Sequence, residues 1–155
     1  MADETPVISL KAIGTVRNKF RQPVVKHDWQ NVISEIVVNP DLNEALDNLD
    51  EFSHLIILYW MHRRHPTPPP YKVHPRGNQN IPLKGLFATR SPNRPNSIGK
   101  TTVRLLQCRG NILKVQGLDA IDGTPVIDIK PYIPGYDSPA DTRAPSWTDR
   151  DTASH

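Results

Sequence analysis

Hydrophobic and polar positions along this chain alternate mostly with a period of two, the spacing of a half-buried β-strand. Runs of this kind predict strands over residues 7–16, 32–38, 101–107, 112–118 and 126–130. One further run, residues 53–61, is apolar at successive positions, as expected of a central strand buried on both faces. The chain therefore predicts six or seven strands that follow one another directly.

Turn and helix signals between these runs define the fold class. Arg109-Gly110-Asn111 and Asp122-Gly123 are typical of tight hairpin turns. Asn39-Pro40-Asp41 predicts the start of a short helix, with Asn39 as its N-cap. Strands connected without alternating helices favour an all-β fold, a compact antiparallel β-barrel of six to seven strands with one or two short helices and long loops.

Residues 85–100 combine a short apolar run with a proline-stiffened polar loop. Pro92 and Pro95 fix the backbone of this loop, and proline also removes a hydrogen-bond donor at each position. The loop carries Arg90, Asn93, Arg94 and Asn96. A rigid loop rich in guanidinium and amide groups suits recognition, although an ordinary surface loop is the alternative.

Positive charge is concentrated around this loop. Residues 62–100 hold eight Lys or Arg and no Asp or Glu, so the remainder has eleven basic and sixteen acidic residues. A localised basic segment on an acidic body indicates an anionic partner. Nucleic acid and a carboxylate- or phosphate-bearing small molecule both fit, and a solvated face is the alternative.

Several common site types do not fit the sequence. Gly99-Lys100-Thr101 resembles the end of a phosphate-binding P-loop, but Arg94 occupies the required glycine position and β-formers follow the threonine. No Gly-x-Gly-x-x-Gly motif follows a strand, so no Rossmann nucleotide site is visible.

The histidines do not suggest a metal site. His62 and His65 are three residues apart, but arginines separate them and no carboxylate is near to complete a ligand set. His54 is interpreted as a core histidine. We therefore expect no metal.

Cysteine usage and the amino-terminal residues favour a cytoplasmic location. Cys108 is the single cysteine, which excludes an internal disulfide and points to a reducing compartment. The acidic start has no apolar signal region, and no run approaches the ~18 apolar residues of a membrane span. We expect no membrane partner.

Five segments carry a resemblance to a known family, and together they extend over about residues 8 to 136. They are Ile13-Gly14-Thr15-Val16-Arg17, Phe52-Ser53-His54-Leu55, Gly85 through Gly99, Leu118-Asp119-Ala120-Ile121-Asp122-Gly123-Thr124-Pro125-Val126, and Asp128-Ile129-Lys130-Pro131-Tyr132. These segments resemble the TsaA-like, or TrmO, family. The string Phe-Ala-Thr-Arg-Ser-Pro-x-Arg-Pro-Asn is especially specific.

The resemblance implies a β-barrel that binds S-adenosyl-L-methionine without a Rossmann fold and forms a homodimer. It implies N-6 methylation of threonylcarbamoyladenosine at position 37 of tRNA. We expect a barrel domain over residues 1–136 and a tail over 137–155. Longer family members carry a C-terminal domain implicated in holding tRNA, so methyl-donor binding is better supported here than the tRNA substrate.

Residue roles follow from the same resemblance. The implied cofactor contacts are Gln22, Pro23, Val24, Val25, His62, Arg63, Arg90, Lys100, Asp119, Ala120, Ile121 and Asp122. The expected substrate contacts are Arg76, Lys84, Arg94 and Asn96. No catalytic residue is assigned, and Asp122, His62 and solvent all remain candidates for the base.

Two other functions stay open at this stage. One is a methyltransferase for a small metabolite or a protein, which would turn over without RNA. The other is a non-catalytic S-adenosylmethionine-binding module, which would bind the cofactor and its demethylated product alike without transferring a methyl group.

Overall fold

Antiparallel strands close into a barrel in the computed structural model of this protein, which describes residues 4–22, 28–62 and 68–149. The barrel strands are β1 (Gly14–Arg17), β2 (Ile33–Val38), β3 (His54–Trp60), β6 (Ile98–Arg109), β7 (Ile112–Gln116) and β8 (Pro125–Pro131). Their order around the barrel is β1-β2-β7-β6-β3-β8. The prediction of an all-β, compact antiparallel barrel of six to seven strands is confirmed, with six strands in the barrel.

Helical structure in the described ranges is short. The single α-helix there, α1, is Pro134–Asp137, and the 3₁₀ turns are Trp29–Asn31, Pro40–Leu46, Leu49–Glu51, Pro75–Gly77, Leu86–Ala88 and Ser146–Thr148. The helix predicted after Asn39 is thus a 3₁₀ helix. Asn39 occupies the N-cap position but makes no side-chain cap, and its side-chain NH2 group donates to the Ala12 carbonyl at 3.1 Å. This bond ties the helix start to the chain entering β1.

Two of the predicted segments differ from the structure. The first strand begins at Gly14 rather than residue 7, and Val7 and Ile8 are 95% and 78% exposed. Alternation alone predicted a strand there, but these residues find no neighbouring strand to pair with in the described chain. The long loop after β3 contains β4 (Lys72–Val73), which pairs with β5 (Lys84–Gly85) outside the barrel.

Inward-facing side chains fill the barrel. Ile36, Leu55, Ile57, Leu113 and Val115 have essentially no exposed surface. The outer face of β3 is only half-buried, so this strand is not covered on both faces as its sequence predicted. A closed antiparallel barrel buries one face of each strand, which accounts for the difference.

Strand β6 extends beyond β7, the strand that pairs with one of its two edges. It pairs with β3 from Ile98 to Arg104, whereas β7 reaches it only from Arg104 onward. In the described chain, the first half of β6 therefore has a strand on one side only. Backbone groups alternate in direction along an antiparallel strand, and Ser97 and Leu105 bond toward β3. The backbone groups of Lys100 and Thr102 consequently face the open edge.

Gly14 is expected to be essential for barrel closure. A Cβ at this position would lie 2.6 Å from the Val37 carbonyl oxygen, which is backbone and cannot rotate away. Gly14→Ala should lower the free energy of unfolding by about 1–3 kcal/mol, measured by urea denaturation. Gly135→Ala in α1, where a Cβ would contact nothing within 4 Å, is the control and should be neutral or slightly stabilising. Equal unfolding midpoints for the two variants would contradict the close approach of β1 to β2.

Candidate functional site

A cavity of about 1150 Å³ lies beside the open edge of β6. Its walls come from the first half of β6, the end of β3, the segment 117–121, the loop around residues 90–94 and the turn at residues 29–30. The site is therefore a gap in the barrel wall, and backbone groups of β6 are available within it.

Positive charge dominates the cavity walls. Arg90, Arg94, Lys100 and Arg104 line the cavity, and Asp119 is the carboxylate among its lining residues. The ion pairs formed within the described chain are Arg17–Glu35 and Asp128–Lys130, so none involves these four cations. Cations without a protein counter-ion favour an anionic ligand.

Arg94 holds the shape of the loop on which it lies. Its guanidinium donates to the carbonyls of Thr89 at 2.8 Å and Ser91 at 3.1 Å. It also lies 5.7 Å from the centre of the Phe87 ring, within the range of a cation–π contact. The loop is thus fixed by proline and by internal hydrogen bonds, which keeps Arg90 at the cavity.

Asn18 anchors the opposite wall. Its side-chain amide donates to the Ala120 carbonyl at 2.8 Å and to Ser34 Oγ at 3.0 Å. Its backbone N–H donates to Asp122 Oδ1 at 3.0 Å, and the Asp122 N–H donates to the Phe20 carbonyl at 2.7 Å. These bonds hold the segment 117–123 against the chain that follows β1.

Tyr59 connects that wall to β6. Its hydroxyl donates to the Asp119 carbonyl at 2.8 Å and contacts Thr101 Oγ1 at 2.9 Å. The ring lies over Gly99, where a Cβ would be only 2.4 Å from a ring carbon. Burial raises the pKa of Tyr59 to about 12, and the nearby Asp119 charge adds to this shift.

The Asp119 side chain is accessible to solvent through the cavity, but the cavity walls shield part of it from water. Desolvation by these walls raises the pKa of the Asp119 carboxyl above its ordinary value. A carboxylate in this setting gains by accepting hydrogen bonds from a ligand, since it has lost part of its hydration.

The structure brings half of the predicted cofactor residues together. His62, Arg90, Lys100, Asp119, Ala120 and Ile121 line the cavity. Gln22 and Asp122 do not line it: Gln22 is exposed, and the Asp122 carboxylate accepts from the Asn18 N–H. Pro23, Val24, Val25 and Arg63 lie outside the described residues. The roles of all these residues stay predictions.

The predicted substrate residues are more dispersed. Arg94 lines the cavity, whereas Arg76, Lys84 and Asn96 do not. The Arg76 guanidinium donates to the Trp147 carbonyl, and Lys84 lies in β5. Asn96 is exposed in the loop, and its carbonyl accepts from the Ile98 N–H.

Sequence reasoning did not identify several residues of the site. Tyr59, Thr101 and Arg104 lie in predicted strands, and Asn18 lies in an irregular stretch, so no sequence motif marks them as site residues. The one available signal was a tyrosine hydroxyl in an apolar run, since a buried Tyr usually bonds through its oxygen. His54, predicted as a core histidine, is half-buried, lines the cavity and contacts Ser53 Oγ at 2.7 Å.

Fold and site together define a small antiparallel β-barrel with a ligand cavity in its wall, a class distinct from the nucleotide-binding α/β folds. Residues 12–138 match the family model described as the tRNA-methyltransferase O N-terminal domain. The chain belongs to this family, as its sequence motifs indicated.

Individual relatives agree with this membership. The chain is 42% identical over 134 residues to a probable S-adenosyl-L-methionine-binding protein of Methanothermobacter thermautotrophicus, covering 84% of this chain and 94% of that one. It is 46% identical over 101 residues to the mouse tRNA (adenine(37)-N6)-methyltransferase, covering 65% of this chain and 23% of the mouse protein.

A solved structure confirms the fold. The crystal structure of TrmO from Pseudomonas aeruginosa superimposes with a TM-score of 0.74 at 30% identity, covering 94% of this chain. The present chain spans 63% of that TrmO chain, a little under two thirds of its length.

Two features are absent from the described residues, a membrane-spanning helix and a cluster that could hold a metal ion. No helix there is long and apolar enough to cross a membrane. Nor do three or more His, Cys, Asp or Glu side chains of residues 4–22, 28–62 and 68–149 converge as a group that could hold a metal ion.

The raised pKa of Tyr59 predicts a specific loss of stability at alkaline pH. The unfolded chain releases the phenolic proton near pH 10, whereas the folded chain keeps it until about pH 12. This contribution is complete below about pH 10 and is lost as pH rises toward 12, and two pKa units correspond to about 2.7 kcal/mol.

Wild type and Tyr59→Phe should therefore converge in unfolding free energy across this range, as measured by urea denaturation at each pH. Because both proteins share every other titrating group, their difference isolates Tyr59. A difference that stays constant from pH 9 upward would show that the hydroxyl titrates normally.

Proposed function

We propose that this protein binds S-adenosyl-L-methionine in the β6 cavity and transfers its methyl group to the exocyclic N-6 of an adenosine in tRNA. The favoured acceptor is threonylcarbamoyladenosine at position 37. The observation that carries the proposal is a cavity with cations at its rim and the Asp119 carboxylate within it, on a chain that belongs to the TrmO family.

The residues of the cavity suit the cofactor. An adenosine moiety offers hydroxyl and amino donors, which match the Asp119 carboxylate and the open backbone edge at Lys100 and Thr102. The methionine moiety ends in a carboxylate, which matches Arg90. The names of the archaeal relative and the mouse methyltransferase support the same cofactor and an adenine acceptor.

The cavity also has room and charge for a second, polyanionic partner. Its volume of about 1150 Å³ exceeds the roughly 300–1,000 Å³ of typical small-molecule sites. Lys100 and Arg104 are exposed on the outer side of β6, where they can contact phosphates. Each phosphate contact of this kind would weaken with rising salt, as expected for tRNA binding.

Alignment is the main contribution of the protein to this chemistry. S-adenosylmethionine supplies, when bound, a methyl group already activated by its sulfonium charge. The fixed walls formed by Arg94, Asn18 and Tyr59 can hold donor and acceptor in line, an effect worth several kcal/mol. The acceptor nitrogen also loses a proton. His62 lines the cavity and is a candidate to take it, as is solvent, whereas Asp119 is assigned to the cofactor and Asp122 does not line the cavity.

Cofactor binding should depend on Arg90. At 100 times its dissociation constant, S-adenosylmethionine should stabilise the wild type by about 2.7 kcal/mol in a thermal-unfolding titration. Arg90→Ala should weaken binding about tenfold, through loss of one charge-assisted contact of about 1.4 kcal/mol.

Arg109→Ala is the matched control for this experiment. Arg109 is exposed at the far end of β6, so its removal changes the net charge equally without touching the cavity. An Arg90→Ala protein that binds as tightly as Arg109→Ala would show that Arg90 is not a cofactor contact. No stabilisation of the wild type at millimolar ligand would count against the cofactor itself.

Methyl transfer should require the modified nucleoside. Protein incubated with methyl-labelled S-adenosylmethionine should label tRNA that carries threonylcarbamoyladenosine, and it should leave tRNA from cells lacking that modification unlabelled. Label in the unmodified tRNA would support an adenine methyltransferase but overturn the assigned acceptor. Label in a metabolite or protein fraction alone would favour the second function class.

A homodimer and a cytoplasmic location complete the proposal. Exposed apolar side chains at Val7 and Ile8 are consistent with a further contact surface. Sedimentation velocity of the wild type with and without S-adenosylmethionine tests the dimer, which a monomeric species under both conditions would exclude.

A further inference from the structure

The Asp119 carbonyl, the Tyr59 hydroxyl and the Thr101 hydroxyl form a hydrogen-bonded chain at the cavity, and the donor in each bond can be assigned. The Asp119 carbonyl can only accept, so the single proton of the Tyr59 hydroxyl is committed to it at 2.8 Å. The contact between Tyr59 and Thr101 at 2.9 Å must then use the Thr101 proton, because Tyr59 has no other. Thr101 thus donates to Tyr59 and has only lone pairs left for the cavity.

Packing keeps this direction from reversing. Tyr59 is 4% exposed, so solvent has little access to compete for its hydroxyl. Its ring is seated over Gly99, the residue opposite it in the register of β3 and β6. The Asp119 carbonyl belongs to the wall that Asn18 holds through Ala120, so it cannot easily turn away.

We infer that Tyr59 is a positioning residue that makes Thr101 an obligate acceptor and, with the Asp119 carboxylate, creates a subsite for a ligand group that offers hydrogen-bond donors. Hydroxyl and amino groups fit such a subsite, whereas a carbonyl, carboxylate or phosphate finds no donor from these two side chains. The inference rests on the proposed function and deepens it, because it places the donor-bearing adenosine moiety of the cofactor here.

The cavity rim offers hydrogen-bond donors where the subsite offers acceptors, and this difference supports the assignment. Arg90 and Lys100 offer donors and positive charge, and they lack ion-pair partners in the described chain. A ligand with donors at one end and an anion at the other would therefore bind in one orientation. Tyr59, which no longer has a proton to give, determines that orientation through Thr101.

The experiment compares affinities for S-adenosylmethionine by isothermal titration calorimetry. Tyr59→Phe removes the hydroxyl that receives the Thr101 proton, and Thr101→Val removes the acceptor with little change in shape. Each should weaken binding about fivefold, the effect of one hydrogen bond. The double variant should bind no more weakly than the weaker single variant, because both changes disable the same acceptor.

Thr101→Ser distinguishes the proposed role of the Thr101 hydroxyl from a purely structural one. Serine keeps the hydroxyl and should retain affinity within about twofold of the wild type, whereas valine should not. Asn111→Ala is the stability control: it removes a 2.7 Å hydrogen bond to the Val38 carbonyl at the distal hairpin, so it should lower stability without changing affinity.

The outcomes separate this inference from the proposed function. Wild-type protein that does not bind S-adenosylmethionine would overturn the proposed function and this subsite with it. Wild-type binding together with unchanged affinity in Tyr59→Phe, additive losses in the double variant, or equal losses for Thr101→Ser and Thr101→Val would overturn the subsite alone.

Discussion

The open edge of β6 is the constraint on which the rest of this structure depends. A barrel normally satisfies its backbone groups by pairing every strand on both sides. Here β7 ends its pairing at Arg104, and six residues of β6 have no second strand in the described chain. Backbone donors and acceptors at such an edge need partners from water or a ligand. The open edge thus exposes a polar backbone surface within the barrel wall.

An open edge is useful only if the surrounding walls stay in place. Two independent networks provide this stability, one on each side of the cavity. Arg94 and two prolines fix the loop that follows β5, while Asn18 and Tyr59 fix the segment after β7. The loop at residues 89–94 and the segment 117–123 are themselves irregular, so the positions of their cavity residues depend on individual side-chain hydrogen bonds. Loss of one such bond would therefore affect the site more than the barrel.

The strands and hairpin turns were predictable because they depend on local signals. Period-two alternation and glycine turns are properties of a few consecutive residues. The wall networks were not predictable in the same way, since Asn18 reaches Ala120 across 102 positions in the chain. Asp122 illustrates the difference: its family position suggested a ligand contact, but the fold directs its carboxylate to the Asn18 backbone. Arg76 likewise lies in the basic segment yet bonds to the Trp147 carbonyl.

The cavity combines a subsite of hydrogen-bond acceptors with a rim of cations. This combination would let a small barrel bind a cofactor and an anionic substrate together. In the proposed binding mode, a cofactor held by Thr101, Asp119 and Arg90 leaves the outward-facing cations of β6 exposed to a second, anionic molecule. That molecule would approach from the side where β6 faces solvent, because Lys100 and Arg104 point outward there. The reacting groups would then meet between the acceptor subsite and the cationic rim. In this arrangement the charge distribution orders the two partners, and the rigid walls supply the alignment that methyl transfer needs.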